Sequence, residues 1–100
     1  MHTLVQAERK LTELHRSRID IIANILLATE GGAKKTHIMY QCNLSFRQLH
    51  AYLDLLIEKE LLTSVTPKKK EKNNFNTYAT TNKGRAFIQA YHTINAILSR

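Results

Sequence analysis

The sequence holds one cysteine, one proline and three glycines in 100 residues, and only 8 acidic side chains. Each scarcity removes a class of protein. A lone cysteine, Cys42, makes no internal disulfide, so a reducing cytosol is expected rather than a secreted scaffold. No apolar run approaches a membrane span, and Met1-His2-Thr3 leads into no signal-peptide pattern. Glycine-rich phosphate loops, nucleophile elbows and paired carboxylates are missing, so no enzyme is expected. His37 and Cys42 have no second close pair, unlike zinc spacing, and neither a metal nor another cofactor is expected.

What is present suits one small intracellular domain: 43% of residues are hydrophobic and 23% charged. The formal charge is +7, which points to an acidic partner, nucleic acid before membrane surface. The charge is unevenly placed. Residues 1 to 66 carry 8 Lys/Arg against 7 Asp/Glu, whereas residues 67 to 100 carry 7 against Glu71 alone.

Along the chain, Leu4, Ala7, Leu11 and Leu14 form a helical stripe that Thr3 and Gln6 can cap. The polar run His15-Arg16-Ser17-Arg18 breaks it, and Ser17 with Asp20 makes a second capping box, so a fresh helix is expected from Arg18. A single continuous helix through this point is the alternative. From Ile19 to Thr29 the chain is almost wholly apolar, with Ile19, Ile22, Ala23, Ile25 and Leu26 on one broad face. Gly31-Gly32 ends that central helix.

Residues 34 to 42 predict a helix burying Ile38, Met39 and Cys42. Asn43 tolerates the left-handed conformation of a tight helix exit. Ser45 is a good N-cap, and Gln48 three residues on completes a capping box, so a second helix opens at Phe46. Phe46, Leu49, Leu53, Leu56 and Ile57 share its buried face, with Arg47, Gln48, Ala51, Asp54 and Glu58 opposite and Leu55 also on the exposed side. Two helices around a polar corner make a helix-turn-helix, whose second helix typically enters the DNA major groove. Leu61 to Thr66 and Phe75 to Thr80 read as two strands around a polar tip, Pro67 to Asn74, and a hairpin placed there is a wing. Thr81 then caps a last helix over residues 82 to 99.

The linked segments resemble the archaeal winged helix-turn-helix regulator family. The matching positions are Gly32, Lys35, Thr36, Ile38, Met39 and Tyr40; Leu44, Ser45 and Phe46; Tyr52 and Leu53; Tyr78, Thr81 and Gly84. The resemblance covers residues 18 to 98 and implies DNA binding, with dimerisation of some members through the C-terminal helix. Two departures stand out: Thr80 replaces a usual apolar residue, and the wing is unusually rich in lysine.

The expected base contacts are Ser45, Arg47, Gln48 and Ala51, on the leading turns of the second helix. Arg47 suits guanine and Gln48 adenine, although Gln48 has a competing use in its own capping box. Lys34, Lys35, Lys68, Lys69, Lys70 and Lys72 are the expected phosphate contacts. Lysines at a hairpin tip also discourage edge-to-edge pairing. That role does not account for four of them beside a recognition helix. Asp54 and Glu58 repel phosphate, so the later turns tilt away from DNA or face a cytosine amine.

Phe87, Tyr91, Ile94 and Leu98 form the seam of a short coiled coil, either against the Leu4–Leu14 stripe or against a second copy. We carry forward the second. The sequence thus predicts an α+β, mainly helical fold: an N-terminal helical extension (1–17), a winged helix-turn-helix with a two-stranded wing (18–81) and a C-terminal dimerisation helix (82–100). The expected function is double-stranded DNA binding by a cytoplasmic, nucleoid-associated transcriptional regulator or chromatin protein, as a homodimer and without a membrane or small-molecule partner. A protein-interaction winged helix marked by Leu55, or an RNA or single-strand binder, are the alternatives.

Overall fold

A computed structural model describes residues 17–65 and 76–99. The N-terminal stripe with its Thr3 cap, the alternative packing partner it offered, the four wing lysines (Lys68, Lys69, Lys70 and Lys72) and Phe75 lie outside the described residues.

Helix α1, Arg18–Ala28, begins where its cap dictates. The extended Ser17 accepts the Asp20 N–H at 3.1 Å, and its hydroxyl donates to Asp20 Oδ2 at 2.7 Å. No helix therefore runs unbroken through Ser17. Asp20 also places a negative charge in the first turn, where the helix dipole favours it. Ile21, Ala23, Ile25 and Leu26 are buried, but Ile19, expected on that face, is 55% exposed. At 100° per residue Ile19 lies only about 20° round from buried Leu26, so its direction is that of the core; it stands in the first turn of the helix, two turns before Leu26.

The exit of α1 is held by two buried threonines. Thr29 Oγ1 lies 2.9 Å from Ile25 O and 2.8 Å from Thr80 Oγ1, which in turn reaches Leu26 O, so the two hydroxyl protons are shared among these three contacts. Thr80 N–H donates to Thr29 O at 3.1 Å. The Thr80 hydroxyl is thus fully partnered, as buried polar groups must be. Gly32, at φ +89, then turns the chain into strand β1, Ala33–Lys34.

Helix α2, Lys35–Cys42, buries Ile38 and Cys42 and half-buries Met39. It stops at Asn43, which is left-handed at φ 54 and ψ 56. Leu44 N–H returns to Met39 O at 3.0 Å and Asn43 N–H to Tyr40 O at 3.3 Å, a Schellman exit. Helix α3, Phe46–Glu58, follows after the Ser45 cap and buries Leu49, Leu53 and Leu56. Phe46 and Ile57, both expected in the core, are 60% and 39% exposed. They sit on the shoulders of a stripe centred on the three leucines. Leu55, expected in solvent, is half-buried. A second Schellman exit ends α3, with Glu60 left-handed at φ 62 and Leu61 N–H on Leu56 O at 2.9 Å.

Strands β2, Leu62–Val65, and β3, Thr77–Thr80, pair antiparallel with Leu62 opposite Thr80 and Val65 opposite Thr77. The wing is not limited to these two strands. β1 adds to the other edge of β3, with Ala33 opposite Tyr78, giving the order β1-β3-β2. Helix α4, Asn82–Leu98, starts at the Thr81 cap, whose hydroxyl accepts Gly84 N–H at 3.0 Å. It packs along α1 and buries Ile88 there, with Phe87 half-buried against the core. Tyr91 OH donates to Asp20 Oδ1. That hydrogen bond holds the Tyr91 pKa above the usual tyrosine value, an effect Asn95 partly offsets. Among the described residues the core joins α1, α2, α3, the sheet and the first turns of α4.

Candidate nucleic-acid interface

The corner between α2 and α3 is built from local chemistry. Asn43 supplies the left-handed residue, Leu44 is buried beneath it, and Ser45 restarts the helix. The capping box is closed in both directions: Gln48 N–H donates to Ser45 Oγ at 3.2 Å, and Ser45 N–H to Gln48 Oε1 at 3.0 Å. α3 therefore presents a fixed leading end rather than a frayed one. Ser45, Arg47, Gln48 and Ala51 are all exposed on it. No acidic residue lies in the first turn; Asp54 and Glu58, also exposed, follow further along.

The box limits what two of these residues can offer. Bidentate recognition of adenine uses both the oxygen and the nitrogen of a carboxamide. Gln48 Oε1 accepts from Ser45 N–H, so the carboxamide cannot turn freely toward a base while the box stays closed. Ser45 Oγ is likewise engaged by Gln48 N–H. Arg47, also exposed, takes no part in the capping box.

Of the expected phosphate contacts, Lys34 is exposed on β1 and Lys35 half-buried at the start of α2. Lys68, Lys69, Lys70 and Lys72 lie in sequence between the paired residues Val65 and Thr77. Of the expected seam, Phe87 and Tyr91 are partly engaged inside the chain, whereas Ile94 and Leu98 are 53% and 74% exposed. Ile97, absent from the expected seam, is 68% exposed beside them. Among the described residues no three of His, Cys, Asp or Glu are grouped to hold a metal ion, and Cys42 is buried and forms no disulfide. None of the described helices is long and apolar enough to cross a membrane.

Periodicity placed Phe46 in the core and so missed it as a surface residue. Its ring meets His50 edge-on, with centroids 4.4 Å apart and planes at 61°. Tyr40, near the end of α2, is 80% exposed. The available signal was positional: the first residue of a helix lies at the end of its buried stripe.

Three helices with a short antiparallel sheet, the second and third helices joined by a tight corner and followed by strands β2 and β3, define a winged helix. The model of the winged helix-turn-helix family matches residues 15–99, and the chain belongs to that family. Among solved structures it is similar to Sso10a-2, a DNA-binding protein from Sulfolobus solfataricus, with a TM-score of 0.73 and 23% identity over 84% of this chain and 83% of that one. A PadR family transcription regulator from Clostridium difficile aligns with a TM-score of 0.72 and 19% identity, over 83% of this chain and 92% of that one. MepR of S. aureus, crystallised with DNA, aligns with a TM-score of 0.66 and 17% identity, over 99% and 81%. At these identities the likeness is one of fold. No curated protein matches the sequence.

Proposed function

We propose that this protein binds double-stranded DNA as a transcriptional regulator or chromatin-associated protein, with α3 in the major groove and the lysine-rich wing on the phosphate backbone. The observation that carries the reading is the leading end of α3. It is rigidly capped, exposes Ser45, Arg47, Gln48 and Ala51 together, and has no acidic residue in its first turn. A net charge of +7, most of it after residue 66, supplies the attraction that such a surface needs. The DNA-binding neighbours of the same fold add weight to it. The protein would act in the cytoplasm on the nucleoid, and as a homodimer through α4. Because Phe87 and Tyr91 are partly used within the chain, the contact between copies rests mainly on Ile94 and Leu98, with Ile97 alongside. Leu55, the feature that favoured a protein-interaction module, is half-buried, which weakens that alternative.

Competition binding with duplex DNA, single-stranded DNA and RNA of matched length tests the assignment. Duplex DNA should displace the probe at the lowest concentration. Preference for single strands or RNA would replace it with a stacking mode in which exposed Tyr40 and Phe46 take part.

A further inference from the structure

We propose that Phe46 is a base-reading residue whose ring packs against thymine 5-methyl groups in the major groove. The inference rests on the duplex-binding reading above and extends it from charge and hydrogen bonding to an apolar contact. Phe46 is the first residue of α3 and 60% exposed, although the buried stripe of the helix passes close by. Helical side chains lean toward the N-terminus, so the ring leans out over the end of α3 that leads into the groove. His50, one turn on, meets it edge-to-face at 4.4 Å. A ring held in this way loses less rotational freedom on binding than a free one.

The surroundings select the occupant. Ser45, Arg47 and Gln48 beside Phe46 are polar or cationic and exposed, and the first turn holds no acid. An apolar protein surface covering Phe46 would have to strip water from all three. A DNA groove satisfies them with phosphates and base edges. On the major-groove edge, thymine alone presents an apolar group, its 5-methyl. Arg47 and Phe46 would then read neighbouring base pairs by two different chemistries.

Replacing thymidine with deoxyuridine removes the methyl and keeps every hydrogen-bonding group, which makes a direct test. Fragments selected by the protein from random duplexes are synthesised once with each nucleoside, and both are titrated with the wild-type protein and with Phe46→Ala. The wild type should bind the thymidine duplex about fourfold more tightly for each methyl buried. Phe46→Ala should bind both duplexes alike while keeping the helical circular dichroism of the wild type. Should that variant lose helicity, Phe46→Gln keeps a helix-forming side chain without the ring and carries the same expectation. Wild-type indifference to the methyl, selected fragments with no recurring thymine, or an unchanged preference in the folded variant would each overturn the proposal. A protein that binds no duplex at all would instead overturn the reading on which it rests.

Discussion

Helix propensity predicts that Gly84→Ala stabilises this protein, and the packing around Gly84 predicts the reverse. Inside a helix, alanine is favoured over glycine by at most about 1 kcal/mol. A Cβ at this position would stand 2.4 Å from the Leu61 carbonyl oxygen and 2.6 Å from Thr80 Cγ2. The first of these is backbone and has little room to retreat, because Leu61 O accepts Thr81 N–H at 3.1 Å and Leu62 directly after it pairs with Thr80 in the sheet. Overpacking of this kind costs about 1–3 kcal/mol, here at the upper end, and loss of the Thr81 hydrogen bond about 1 more. The balance is a net loss of about 2–3 kcal/mol. In a domain of this size that lowers Tm by roughly 8–20 °C. Urea and thermal unfolding followed by circular dichroism would measure it, with Gly31→Ala as the control. Gly31 has nothing within 4 Å of a built Cβ, so that substitution should be neutral or stabilising by up to about 1 kcal/mol. A Gly84→Ala protein as stable as the wild type would refute the account of how α4 docks.

Four further outcomes are expected. Replacing Lys68, Lys69 and Lys70 by Ala should flatten the log–log salt dependence of duplex binding by up to about 3 units, and an unchanged slope would remove the wing from the interface. Arg47→Ala should weaken a preferred site by about 1–3 kcal/mol while hardly touching random duplex; equal losses on both would make Arg47 a phosphate contact. The Tyr91–Asp20 hydrogen bond raises the Tyr91 pKa, so its stabilisation is complete below a pH of about 10 and lost as pH rises through the folded-state value. Tyr91→Phe should accordingly lower the unfolding midpoint at neutral pH and bring the two proteins together at high alkaline pH, whereas a gap that stays constant across that range would deny the linkage. Ile94→Glu should leave the fold intact and yield monomers with weaker duplex binding, read by light scattering; a wild type that is itself monomeric at tens of micromolar would end the dimer reading.

The parts of this fold that were legible in the sequence are those decided within a few residues. Ser17, Asn43, Ser45 and Thr81 each occupy the cap or left-handed position that their side chains favour. Glu60 adopts the same left-handed exit with no glycine or asparagine to announce it. What was not legible depends on distant partners. β1 is two residues long, too short for alternation to register, and exists because β3 offers it an edge. The polar residue at position 80 was visible as an oddity, but its explanation, Thr29, lies 51 residues away. Ile19, Phe46 and Ile57 were placed in the core because a 3.6-residue period gives the direction of a buried face and neither its width nor how far along the helix it runs. At the candidate interface the sequence identified the exposed residues of α3 and the capping box of Ser45 with Gln48, and the structure has both hydrogen bonds of that box.

The junction between α3 and α4 bears on how two copies would read one duplex. The exit of α3 and the start of α4 are tied by Thr81 Oγ1 to Glu60 O at 2.7 Å, Lys83 Nζ to Lys59 O at 2.9 Å and Thr81 N–H to Leu61 O. Gly84 allows the two backbones to come this close. α4 is therefore a lever fixed to the end of α3, and it also runs along α1, held there by Tyr91 on Asp20. In a dimer joined through Ile94, Ile97 and Leu98, the separation of the two α3 helices would be set by this rigid connection rather than by a linker. Such an assembly tolerates little variation in half-site spacing. A loosened junction would lose discrimination between spacings before it lost affinity for a single half-site, because each α3 would still enter its own groove.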